Sequence, residues 1–163
     1  MTYCEKKKIL LFFGGQAFSN FHRGASFIME GRLFNCSEQA FHSCKARHFR
    51  DEESEKLIMA AENPQHQKNM GRRVKNFHQD EWDRVRLRYL KDILMAKFQQ
   101  DSYLKRLLLD TEDFLLAEAS PYDHLYGTGC SVNHPNAFNP EKWPGQNEMG
   151  LLLMTVRNEL RTA

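Results

Sequence analysis

The stretch Asn35-Cys-Ser-Glu-Gln-Ala-Phe-His-Ser-Cys-Lys-Ala-Arg-His-Phe-Arg50 sets the reading of the whole chain. It opens like a helix: Asn35 with Glu38 three residues on matches a capping box, and Ser37 is a rival N-cap. Beyond the cap, Glu38, Phe41, His42, Lys45 and Phe49 recur at three- and four-residue steps and share one face. Glu38 and Lys45 lie two turns apart, about 10 Å along the axis at 1.5 Å per residue. A carboxylate and an amine beside two phenylalanines admit two readings. Both charges can rim a buried stripe, or both can face a pocket.

Downstream, Asp51 begins a second helix that runs to about Ala61. Asn63-Pro64 starts a third, with Asn as cap and Pro in the first turn, ending near Gly71. Asp80 is expected to cap the longest helix, about Glu81 to Gln100, on which Trp82, Val85, Tyr89, Ile93, Leu94 and Phe98 trace an apolar stripe. Arg84, Arg88 and Lys91 occupy a second, solvated face. Ser102–Leu109 is a shorter helix, and residues 147–161 close the chain as an amphipathic one. Upstream, Ile9–Phe13 reads as a buried strand stopped by Gly14-Gly15. Ser26–Glu30 and Arg32–Phe34 form a small hairpin turning at Glu30-Gly31. Phe114–Ala117 is a further strand. From Ser120 to about Gln146 no period is visible, and a loop that long in a compact domain is usually functional or mobile. These elements predict an α+β fold, a mainly helical single domain over 1–163 with a small β-hairpin and sheet.

The length suffices to bury a core without staples. Hydrophobic residues make up 41% and aromatics 12%, which excludes a disordered chain. Lys and Arg number 23 against 21 Asp and Glu, leaving +2, too little for a dedicated nucleic-acid binder. Cys4, Cys36, Cys44 and Cys130 form no C-x-x-C pair and read as free thiols in a reducing compartment. Cys36, His42, Cys44 and His48 crowd one helix, but their spacing does not turn all four to one side, so no metal is expected. No apolar run approaches a membrane span, and the apolar stretch after Lys6-Lys7-Lys8 is too short for a signal peptide. Cytoplasm or nucleus is the default location, and we take the cytoplasm.

Four clusters combine polar, glycine and aromatic residues in ways a core does not need. They are Ser19-Asn20-Phe21, the Glu38/Lys45 face, Gly71-Arg72, and Tyr122-Asp123 through Gly127-x-Gly129. Gly127 and Gly129 permit close backbone approach or positive φ around a ligand, or simply a tight loop. Trp82 serves either as core or as a stacking platform. Asn147 either caps the last helix or helps hold phosphate at its start.

Together these clusters resemble the YbiA-like (NADAR) family of N-glycosidases over nearly the whole chain, from about Phe18 to Leu160. The resemblance rests on Phe-Ser-Asn-Phe21, Glu30-Gly31, Ser-Glu38-Gln-Ala-Phe, Lys45-Ala, Met70-Gly-Arg72-x-Val, Trp82 and Ala96-Lys-Phe98. It continues through Glu118-Ala-Ser-Pro-Tyr-Asp123, Gly127-x-Gly129 and Trp143-x-Gly-Gln-Asn147-x-x-Gly150. Order and spacing carry it, not any single piece. Tyr126 stands where the family usually has Trp, and Gln16 and Phe18 replace its leucine-containing lead-in.

The resemblance implies hydrolysis of a C–N bond between ribose and a base amine, without metal or redox cofactor. Family branches act on ribosylamino-pyrimidine phosphates early in riboflavin biosynthesis, or remove ADP-ribose from guanine. The first is our expectation: a small ribosylamine phosphate as substrate, with nucleic acid entering only in ADP-ribosylated form. The alternatives are an ADP-ribosyl-guanine hydrolase, an inactive ADP-ribose or nucleotide reader, and a helical interaction module with no small ligand. Glu38 and Asp123 match the family's acidic positions, suited to stabilising positive charge on the sugar and moving a proton. Lys45 matches a lysine implied to attack the anomeric carbon and form an imine, which requires a neutral amine. Trp82 and Tyr126 would stack on base or sugar. Asn20, Phe21, Arg72, Gly127, Gly129 and Asn147 would line and position the substrate.

Overall fold

A computed structural model describes residues 1–162. Along them run β1 (Thr2–Cys4), β2 (Ile9–Phe12), β3 (Phe27–Met29), β4 (Arg32–Phe34), α1 (Ser37–His48), α2 (Glu52–Ala60), α3 (Pro64–Gly71), α4 (Gln79–Gln100), α5 (Ser102–Leu109), β5 (Leu115–Glu118) and α6 (Glu148–Thr162). Short 3-10 turns lie at Glu5–Lys7 and Pro140–Lys142. The fold is α+β and mainly helical, as the patterning predicted. The chain divides into two compact units, residues 1–19 with the chain from Ser102 onward, and Asn20–Asp101. No helix among the described residues is long and apolar enough to cross a membrane.

In the first unit β2 is the middle strand of a three-stranded sheet, antiparallel to β1 and parallel to β5, with Ile9 opposite Leu115 and Phe12 opposite Glu118. A central strand is covered on both faces, so it reads as a continuous apolar run without alternation. The edge strand β1 has exposed Thr2 and Tyr3 and left no such signal. Ile9, Leu11, Ala117, Ala119 and Ala137 form a buried cluster against which Trp143 packs. Helix α6 lies on β5 and α5 through a stripe including Met149, Leu153, Val156 and Leu160. Buried Arg157 donates to Thr111 Oγ1 at 2.8 Å and to the Phe114 carbonyl at 2.9 Å, bracing the entry to β5.

The second unit is built around α1, which touches α2, α3, α4 and β4. Ser37 to Cys44 are all buried although five of the eight are polar. Burying such groups is tolerable only when they are hydrogen-bonded, and most of these are. Gln39 Nε2 donates to the carbonyls of Ile58, Met59 and Ala61 at the end of α2, while its Oε1 accepts from the Asn35 N–H. Ser43 Oγ donates to Glu55.

The start of α1 departs from the expected capping box. Cys36 occupies the N-cap without a side-chain cap, and the Glu38 N–H donates to the Asn20 carbonyl at 3.0 Å. Asn35 instead accepts from Gln67 Nε2 at 3.0 Å. The caps of α2 and α3 are as predicted: Asp51 accepts from the Ser54 N–H and Asn63 from the Gln65 N–H. Helix α4 begins earlier than expected, capped at His78, so Asp80 sits in its first turn with Glu81. There both acids face the positive end of the helix dipole. The hairpin β3–β4 pairs Phe27 with Phe34 and turns at Glu30 (φ 51°) and Gly31 (φ 73°). Left-handed backbone at both central residues is what a two-residue type I′ turn needs.

Candidate functional site

The sharper chemistry in the Asn20–Asp101 unit gathers on α1. His42 Nε2 lies 2.9 Å from Glu38 Oε1, and the two side chains are only 9% and 8% exposed. One helical turn separates them, the spacing at which side chains meet. The His42 ring sets its edge against Phe41 with centroids 5.6 Å apart, and its Nδ1 is buried without a hydrogen-bond partner. Gly71, the last residue of α3, makes room for that ring. A Cβ on Gly71 would stand 2.7 Å from His42 Cε1 and closer still to Nδ1 and Cγ.

Lys45, a further turn along, is half-buried, with Nζ 4.1 Å from the centre of the Phe77 ring. Burial lowers its pKa from the ordinary 10.5, and repulsion from Arg72 lowers it further. Desolvation penalises the ammonium form, so the amine gives up its proton more readily than in water. Arg72 itself is exposed at the end of α3. Trp82 is 4% exposed: it stacks on Tyr89 (5.8 Å, 22° between planes) and meets Phe41, His48 and Phe49 at its other sides. The core role, not the open platform, describes this arrangement. Asn20 joins the group through its backbone bond to Glu38, and its Oδ1 is buried without a partner. Phe21 is half-buried, with Lys68 Nζ 5.5 Å from its ring centre.

The remaining candidates belong to the other unit, in the loop after β5. Asp123 Oδ1 accepts from the N–H groups of Leu125 (3.0 Å) and Tyr126 (2.8 Å), closing an Asx turn; Oδ2 takes no part in it. The Gly127 carbonyl accepts from the Asn147 N–H and the Tyr126 carbonyl from the Met149 N–H. Gly129 has φ 74°. Asn147 is buried and clamps β5, its Oδ1 accepting from the Glu118 N–H at 3.0 Å and its Nδ2 donating to the Leu116 carbonyl at 2.9 Å. Its own carbonyl accepts from the Leu151 N–H as α6 begins. Both amide atoms are thus engaged within this unit.

A groove of about 610 Å³ against α2, lined by Arg32, Leu33, Glu52, Glu55, Lys56 and Met59, contains none of these side chains. Among the described residues no group of three or more His, Cys, Asp or Glu converges as metal ligands. His42 is the residue that sequence reasoning placed on the right face but weighed only as a ligand. Its four-residue offset from Glu38 was the available signal.

The model of the NADAR domain family matches residues 10–161. This chain belongs to the NADAR domain family. A protein of Acanthamoeba polyphaga mimivirus, named an N-glycosidase, is 34% identical to this NADAR chain over 123 residues, covering 76% of this chain and 72% of its own. A Vibrio vulnificus protein, named a riboflavin biosynthesis protein, is 28% identical over 126 residues, 77% of this chain and 31% of its own length. The NMR structure of the E. coli protein YbiA superposes with a TM-score of 0.77 at 28% identity, covering 94% of this chain and 85% of that one.

Proposed function

We propose that this NADAR domain is a hydrolase, an N-glycosidase that cleaves the bond between ribose C1′ and a base amine in phosphorylated ribosylamino-pyrimidines of early riboflavin biosynthesis. The observation that carries this reading is the pair on α1: a buried carboxylate at Glu38 and, two turns on, a lysine whose pKa is lowered by burial and by Arg72. The names of the mimivirus and Vibrio relatives support both the reaction type and the substrate class. The family match runs unbroken through both compact units, which supports treating residues 1–163 as one functional domain.

Neutral Lys45 gives its lone pair to C1′, and the C1′–N electron pair leaves with the base amine, which takes one proton from an acidic side chain. A second proton passes from Nζ to the ring oxygen as the sugar opens, leaving a protonated imine. Water then adds to that carbon, releases the ribose aldehyde and Lys45, and returns one proton to the acid. Glu38 and Asp123 are the carboxylates for charge stabilisation and proton transfer. Asn20 Oδ1, lacking a partner, is suited to a ribose hydroxyl, and exposed Arg72 to phosphate. Phe21, Tyr126 and the Gly127–Gly129 turn line the substrate, while Trp82 backs Phe41 and Asn147 holds the loop. The reaction as written needs no cofactor. Four unpaired thiols suit the cytoplasm.

Purified protein offered a ribosylamino-pyrimidine phosphate, and separately ADP-ribosylated guanine in DNA, should release the pyrimidine preferentially, read by mass spectrometry. With a net charge of +2, binding to unmodified duplex should be weak at physiological salt. Preferential release from the DNA would make the chain an ADP-ribosyl-guanine hydrolase. Binding without release of either base would make it a reader.

A further inference from the structure

We infer that His42 is a positioning residue for Glu38, locked as the neutral Nε2–H tautomer and donating that hydrogen to Glu38 Oε1. The inference rests on the reading of Glu38 as a working carboxylate. Three protonation patterns are open to an imidazole, and the surroundings of this ring separate them. Nε2 is 2.9 Å from a carboxylate oxygen, while Nδ1 is buried, without partner, and turned toward Gly71. With the proton on Nδ1, an N–H would be buried with nothing to accept it, and the Nε2 lone pair would confront a carboxylate oxygen. The imidazolium would satisfy Glu38 but would still bury an N–H at Nδ1. The Nε2–H tautomer makes a charge-assisted bond and leaves only a lone pair unmatched against Gly71. It alone avoids an orphaned donor, the costlier of the two omissions.

This arrangement acts before substrate arrives. A glutamate has three side-chain torsions, and a free one would have to be ordered during the reaction. Anchoring Oε1 removes that freedom and leaves Oε2 as the oxygen for the sugar. Gly71 completes the device by allowing the ring to sit where any side chain would exclude it. A misplaced carboxylate can cost about 10²-fold in rate, and the loss should fall on kcat with KM little changed.

The test combines spectroscopy with kinetics. In wild-type protein, two-bond ¹⁵N–¹H correlation should show His42 Nε2 protonated and Nδ1 bare. His42→Leu should lose about 10²-fold in kcat, and His42→Gln, whose amide nitrogen reaches the position of Nε2, should restore most of it. A proton on Nδ1 overturns the inference, as does a wild-type kcat in His42→Leu alongside an inactive Glu38→Gln. Should Glu38→Gln itself be fully active, the reading of Glu38 fails, and positioning it has no catalytic meaning. If His42→Leu does not fold, the tautomer in wild type and the kcat of His42→Gln relative to His42→Ala decide the matter.

Discussion

Gly71 and His42 are complementary: the glycine lacks a Cβ where the imidazole needs space, and an added Cβ would stand 2.7 Å from Cε1 and nearer to Nδ1. The Gly71 backbone is not left-handed and ends a helix, so alanine suits it conformationally. Any cost of Gly71→Ala therefore reports the steric contact itself. We expect a loss of about 1–3 kcal/mol in urea unfolding, typical of overpacking, together with a lower kcat. His42→Ala in the Gly71→Ala background should recover much of the stability, because the two changes share one contact. Additive losses would mean that the ring is not what Gly71 accommodates.

The two acids differ in how their oxygens are held, which makes the amide variants informative. Glu38→Gln keeps a carbonyl oxygen for His42, and Asp123→Asn keeps one for the Leu125 and Tyr126 N–H groups. Both proteins should melt close to wild type. Turnover of the ribosylamine phosphate should fall by about 10²-fold or more in each, as for loss of an acid–base group. Wild-type turnover in either variant removes that residue from the mechanism.

Helical periodicity made the helices legible, and the Glu30-Gly31 pair gave the hairpin turn its residues. Strand β1 was not legible, since a three-residue edge strand with Thr2 and Tyr3 exposed carries no pattern. The start of α1 was misread because Asn35 is engaged by Gln67, 32 positions away, a partner no local cap rule can foresee. At the site, spacing alone put Glu38, His42 and Lys45 on one face. The Phe77 ring over Lys45, carried by the connection between α3 and α4, and the Gly71 vacancy beside His42, on α3, are contacts between segments far apart in the chain, so the sequence held no local trace of them. Arg86 and Lys97 were hidden for the same reason: in a helix of mixed charge, burial of one lysine is decided by its neighbours.

Lys97 supplies a pH test. It is 1% exposed, and burial draws its pKa from 10.5 to about 7 against the opposing pull of Cys36 and Asp101. Below pH 7 both folded and unfolded chains hold the proton, and the folded state bears the burial cost in full. Between about 7 and 10 the unfolded chain keeps a proton that the folded one has lost, so stability rises with pH by up to about 1.4 kcal/mol per unit. Burial also pushes the Cys44 thiol up to about 11. Its unfolded thiolate forms first, so that group opposes the trend above about pH 9. The stability of wild type minus that of Lys97→Met, from urea melts, should therefore climb between pH 7 and 9. A flat difference would show that Lys97 stays protonated when buried.

Lys45 carries the most exposed part of the mechanism. Its amine is half-buried and repelled by Arg72, both of which disfavour the ammonium form and suit a group recruited for its lone pair, against the opposing attraction of the Phe77 ring face 4.1 Å away. If it attacks the sugar, an imine between enzyme and opened ribose exists during turnover. Borohydride added to the working enzyme should reduce that imine and leave a stable adduct on the peptide containing Lys45, found by mass spectrometry and absent without substrate. Lys45→Ala should lose both adduct and activity. Lys45→Arg should be inactive as well, because a guanidinium keeps its charge and is no nucleophile. The rising limb of rate against pH should have its midpoint below 10.5, and Arg72→Met should move it upward by removing a repulsive charge. Near-wild-type hydrolysis by Lys45→Arg would refute the covalent route. Lys45 would then be an electrostatic contact to substrate, and the carboxylates of Glu38 and Asp123 would have to activate water directly.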